Sequence, residues 1–126
     1  MAKVVLGARP KNFKKVVKFP MLDGTTGQIE MSYKYRTRTE FGKFIDDLME
    51  KAGATPAPDG KFSMADLMAK TADSNAEYIL SVADGWDVAA DFTLVNVQQL
   101  ADEIPGAANA IMEDYREAIT AGRLGN

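Results

Sequence analysis

The chain has 126 residues, a formal net charge of −3, 46% hydrophobic and 26% charged residues. That is one domain of ordinary length, able to bury a core without staples, and it excludes extensive disorder. It contains no Cys and no His, so disulfides, thiolate zinc sites and Ser-His or Cys-His triads are excluded together.

The small net charge hides a division along the chain. Residues 1–43 carry ten Lys and Arg against three acids, +7, and the remainder carries five against fifteen, −10. Such a chain can pair its halves internally, bind an anionic partner through its front, or associate head to tail with further copies. The opening MAKVVLGARP has too short an apolar run for a signal segment, and no later run reaches the ~20 residues of a membrane span. The expected location is the cytoplasm.

After an arm over residues 1–11, the spacing predicts a β-hairpin over 12–36. In NFKKVVKFP, Phe13, Val17 and Phe19 share one side and Lys14 and Lys18 the other, with Val16 breaking the pattern. MLDGTTG supplies the glycines of a turn. QIEMSYKYR then alternates, with Ile29, Met31, Tyr33 and Tyr35 on one face and Glu30, Ser32, Lys34 and Arg36 on the other. Two strands alone are marginal in water, so the apolar face must be covered by helices or by another chain.

The helical part, 37–126, opens on a capping box, Thr37 to Glu40. Its first helix carries the stripe Phe41, Phe44, Ile45, Leu48 and Met49 and stops at Gly53. The loop ATPAPDG follows, then a weaker cap at Ser63 with Asp66. A longer helical stretch uses Met64, Leu67, Met68, Thr71, Tyr78, Ile79 and Val82 and reaches Gly85, with Asp73-Ser74-Asn75 a point where it can divide. Trp86 is read as a core anchor where two helices meet. Thr93 caps a short helix to Glu103, and Pro105 opens a last helix with Ala108, Ile111, Met112, Tyr115 and Ile119 inward, ending at Gly122. The expected fold is α+β, a hairpin followed by a bundle of three to five helices in a single domain, 1–126.

Chemical motifs are weak. Gly42-Lys43 and Gly60-Lys61 lack the other residues of a phosphate-binding loop. Asp84, Asp87 and Asp91 match no calcium loop and read as caps at helix ends. None of the four serines has a Lys three residues on. Phe13, Lys14, Lys15, Lys18, Tyr33, Lys34, Tyr35, Arg36 and Arg38 interleave aromatics with charge as nucleic-acid platforms do. Alternation, however, puts the rings opposite most of the charges, so no nucleic-acid partner is expected. No catalytic, metal or cofactor-binding residue is identified.

Four segments taken together and in order, YKYRTRTEFGKFIDDL (Tyr33 to Leu48), GWDVAADFT (Gly85 to Thr93), LVNVQQLADEIPGAANAI (Leu94 to Ile111) and YREAITAGRLGN (Tyr115 to Asn126), make the chain resemble tail assembly chaperones of long-tailed bacteriophages and prophages. The resemblance implies a non-enzymatic protein of the bacterial host cytoplasm, absent from the mature virion. It implies one that binds the tape measure protein, keeps it soluble, and helps recruit tail tube protein; many members also occur in a longer, frameshifted form. Apolar helix residues and seven methionines suit such a role. The residues expected to meet a partner are Phe41, Phe44, Leu48 and Trp86, and those expected to serve in a homo-oligomer are Lys14, Lys15 and Lys18. The alternatives are a small structural component of the tail or virion and, third, a nucleic-acid-binding regulator.

Overall fold

The computed structural model describes residues 6–7, 9–52 and 72–124. The expected stop at Gly53, the ATPAPDG loop, the Ser63 cap and the helical positions Met64, Leu67, Met68 and Thr71 lie outside the described residues, as does the side chain of Met49.

Strands β1 (Asn12–Pro20) and β2 (Thr26–Lys34) form the hairpin in the register Phe13↔Tyr33 and Val17↔Ile29. Alternation buries Val17, Phe19, Ile29, Met31 and Tyr33 on one face and leaves Lys14, Lys18 and Lys34 exposed. In the turn, Asp23 Oδ1 accepts from the Thr25 hydroxyl at 2.6 Å and the Thr25 amide at 3.0 Å, bonds that hold this carboxyl below the ordinary carboxylate range. Of the two turn glycines, only Gly24 adopts a positive φ, +86°. Gly27 is instead a strand residue beneath Phe19, where an added Cβ would fall 2.8 Å from the Phe19 ring.

Helix α1 (Arg38–Ala52) starts as its sequence predicts. The Thr37 amide donates to Glu40 Oε1 at 2.8 Å and the Glu40 amide to Thr37 Oγ1 at 3.2 Å. The first of these bonds is the main reason the Glu40 carboxyl titrates below its usual range. Arg9 of the arm reaches the same carboxylate at 3.1 Å. Phe41, Ile45 and Leu48 form the buried stripe.

Helix α2 (Ala72–Val82) contains Asp73-Ser74-Asn75, and the part of the expected helical stretch that precedes it lies outside the described residues. The helix does not continue to Gly85. Ala83–Trp86 form a third strand, β3, antiparallel to β2. Met31 pairs with Trp86 and Ser32 with Gly85, then an irregularity lets Tyr33 face Ala83. The sheet order is β1-β2-β3, and Trp86 sits on a strand rather than where two helices meet. Its indole N–H donates to the Ala90 carbonyl at 2.7 Å and its ring meets Phe92 edge-on at 5.2 Å.

Helix α3 (Leu94–Glu103) is capped by Thr93, whose hydroxyl accepts from the Asn96 amide at 3.3 Å. Helix α4 (Pro105–Ala121) has Pro in its first turn and ends at Gly122 in the left-handed conformation. α4 is the axis of the fold: Ala107, Ala108, Ile111, Met112, Tyr115, Ala118 and Ile119 are buried along it, against β1, α1, α2 and α3. The architecture is α+β, a three-stranded antiparallel sheet with four helices among the described residues. None of these helices is long and apolar enough to cross a membrane.

Tyr115 is the hub of the core. Its ring lies 5.2 Å from Tyr33, 5.8 Å from Phe41, 6.2 Å from Phe13 and 6.5 Å from Tyr78. Its hydroxyl donates to the Lys34 carbonyl at 2.8 Å and accepts from Arg36 Nη1 at 3.3 Å. Beside it, Asp114 joins sheet to helix, accepting from the Tyr33 hydroxyl at 3.1 Å and pairing with Lys15 Nζ at 3.1 Å. Both partners of that ion pair are largely withdrawn from water, so removing either leaves a poorly solvated charge.

Candidate functional site

Between α1 and α2 lies an open groove of about 370 Å³. Phe44, Asp47 and Leu48 come from α1, Glu77, Leu80 and Ser81 from α2, and Leu94 from the start of α3. The floor is held from behind. Phe44 stacks edge-on against Tyr78 at 5.3 Å and lies 6.2 Å from Phe41, while the Arg36 guanidinium covers the ring at 4.5 Å. Arg36 is fixed in turn by the Ser81 carbonyl, to which Nη2 donates at 3.0 Å. A ring clamped in this way presents apolar area without rotating into the core, which is what a preformed binding surface requires.

The apolar character continues past the groove: Leu94 is 43% exposed and its neighbour Val95 70%. A first helical turn that leaves two large aliphatic side chains in water gains nothing from burial in this chain alone. Asp47 and Glu77 stand on opposite sides of the groove, one on each helix.

The residues expected to meet a partner separate into three places. Phe44 and Leu48 line the groove together. Phe41 is 6% exposed and supports Phe44 and Tyr115 from within the core. Trp86 lines a smaller hollow of about 230 Å³ with Val88, Leu100 and Ile104. Sequence reading passed over Leu80 and Leu94, and a signal marked only the first. Leu80 falls off the stripe of Tyr78, Ile79 and Val82, whereas Leu94 lies three residues before the buried Val97, on the same helix face, and nothing in the spacing sets it apart.

The basic front also divides. Lys14 and Lys18 are exposed on the outer face of the sheet, whereas Lys15 faces inward and is paired with Asp114. Arg36, expected on the outer face with Lys34, turns inward beyond the end of β2 and closes the core over Phe44. The acids around Trp86 take up hydrogen bonds to the strands. Asp84 accepts from Asn12 Nδ2 at 2.9 Å, chiefly for which its carboxyl titrates below the usual range, and Asp87 accepts from the Glu30 amide at 2.9 Å. Glu30, Asp84 and Asp87 share with Lys14 and Ser32 a polar hollow of about 280 Å³ on the outer sheet face.

Compared with known proteins, a family model described as phage tail assembly chaperone matches residues 1–126, the whole chain. No curated protein and no solved structure matches it significantly.

Proposed function

Because the chain belongs to the phage tail assembly chaperones, we propose that it binds the tape measure protein during tail morphogenesis, keeps it soluble and brings tail tube subunits to it, in the cytoplasm of the bacterial host and without catalysis. The observation that carries this reading is the groove between α1 and α2. A preformed, open, apolar-floored channel is suited to the face of an amphipathic helix, the form in which a long, largely helical client exposes its hydrophobic residues. Phe44, Leu48, Leu80 and Leu94 are the contact residues in this reading, and Phe41 acts by keeping Phe44 in place. Trp86 lies outside the contact. Assembly of several copies along one client draws on Lys14 and Lys18, with Lys15 committed to the interior.

Co-expression with the tape measure protein tests the proposal. The chain is expected to bring that protein into the soluble fraction and to co-purify with it. Leu94→Glu, at a position already half in water, is expected to lower the co-purified amount about tenfold, a loss of about 1.4 kcal/mol, while leaving the fold intact. A tape measure protein that stays insoluble beside the abundant folded chain overturns the reading.

A further inference from the structure

At one end of the sheet an exposed apolar side chain stands near an apolar hollow. The side chain is Leu22, 84% exposed in the turn between β1 and β2. That turn is held by its own bonds: the Met21 amide donates to the Thr25 carbonyl at 2.8 Å, the Gly24 amide to the Met21 carbonyl at 3.1 Å, and the Asp23 carboxylate is tied down to Thr25. Leu22 is thus fixed in water by a frame that does not use it, a preformed apolar knob. The hollow is the one of about 230 Å³ where Trp86, Val88, Leu100 and Ile104 meet Gln99 and Glu103 of α3. Val95, one turn before Gln99 and 70% exposed, extends its apolar surface along α3.

Knob and hollow also carry opposite charges. Lys18 is exposed on β1 just before the turn, and Glu103 is exposed at the hollow. Glu103 accepts from the Gln99 amide group at 2.7 Å, a bond that places the carboxylate without cancelling its charge. The two features lie at the same end of the molecule. The Asp87 amide bonds to the Glu30 carbonyl, so the chain leaves Trp86 toward the hairpin turn, and Gly106, two residues beyond Ile104, lies close beneath Pro20. A knob beside its complementary hollow on one surface is the arrangement that a two-fold axis satisfies, since each copy can then fill the other.

We propose that two copies of the chain dock through this end of the sheet, Leu22 of each seated in the hollow beside Trp86 of the other and Lys18 of each facing Glu103 of the other. This rests on the reading that copies of the chain associate, and it supplies the surface by which they do so. The groove is lined by a different set of residues from the hollow, so the docked pair carries two client sites, which a long client can engage together.

The chain has no Cys, so a disulfide trap has no background. Leu22→Cys in one preparation and Gln99→Cys in another, mixed and mildly oxidised, are expected to give a covalent dimer of one copy of each in about tenfold excess over dimers from either alone. Sedimentation of the unaltered chain from about 1 to about 500 μM is expected to show a monomer–dimer equilibrium, with Kd raised about tenfold by Leu22→Glu. Lys18→Glu and Glu103→Lys are each expected to weaken the dimer, and the two together to restore it. Circular dichroism identifies any variant that has lost its fold, and for such a variant the disulfide trap decides.

A chain that stays monomeric over this range, a dimer that Leu22→Glu leaves unchanged, or a trap that yields no mixed dimer overturns the proposal. Its failure is distinct from failure of the function, because co-purification reports on the groove and the trap on the hollow. Capture of the tape measure protein without mixed dimers removes this contact and leaves the client. Mixed dimers beside an insoluble tape measure protein leave the contact and remove the client.

Discussion

Replacing Tyr115 by Ala is expected to destabilise the chain by about 4 kcal/mol, the cost of deleting a large aromatic ring from a packed interior. The side chain is fully buried and touches four other rings, drawn from β1, β2, α1 and α2. No neighbour can collapse into its place without breaking a contact elsewhere. Against a total stability of about 5–15 kcal/mol the loss is a large fraction of what holds the fold. Tyr115→Phe keeps the ring and removes the bond to the Lys34 carbonyl and the acceptor for Arg36, so it is expected to cost about 1–2 kcal/mol. Urea unfolding of the two variants measures both. Equal, small losses would show that Tyr115 is not the hub described above.

A steep loss of stability is expected above about pH 10, and its cause is the same cluster. Burial pushes the Tyr33 and Tyr78 hydroxyls far up from the ordinary tyrosine value, with the Asp114 carboxylate adding to the shift at Tyr33, and burial raises Tyr115 as well. A group whose pKa is raised on folding contributes stability that is fully present below its unfolded value of about 10. That contribution is lost as pH rises, because the unfolded chain releases the proton and the native chain does not. Each such tyrosine removes about 1.4 kcal/mol per pH unit, so Tyr33 and Tyr78 together remove about 5 kcal/mol by pH 12. Phenolate absorbance from the buried tyrosines should therefore appear in one cooperative step with the loss of circular dichroism. Gradual ionisation from pH 10 in a folded chain would show that these hydroxyls are reachable by water in the native state.

The parts of the fold that could be read from the sequence are those with a sustained period. The alternation from Gln28 to Tyr35, the Thr37 to Glu40 box and the stripe from Ala108 to Ile119 each repeat often enough to fix an element and its buried face. β3 could not be read that way. It has four residues, one of them Gly, and follows directly on the helical period of Tyr78, Ile79 and Val82, so its pairing with β2 is set by tertiary contact. Lys15 and Arg36 were hidden for a related reason. Alternation assigns a charged residue to a face, but whether it finds a carboxylate or an aromatic ring depends on which helix lies across from it.

The groove was half legible. Phe44 and Leu48 stand out as large apolar residues on α1, yet whether they are sealed or open depends on how closely α2 approaches. No spacing within α1 reports that distance. Leu80 and Leu94 complete the floor from other elements, and they become part of a site only when the fold brings three helices together.

The central claim, that the α1–α2 groove holds the tape measure protein, is tested most directly by placing a photo-crosslinking amino acid at Leu94, on the groove, and in a second sample at Leu22, on the exposed hairpin turn, where the side chain is 84% exposed and far more accessible. With both chains co-expressed and illuminated, the account predicts an adduct with the tape measure protein from position 94 and none from position 22. An adduct from position 22 alone, or none from either position while the two proteins co-purify, would place the client elsewhere and contradict it.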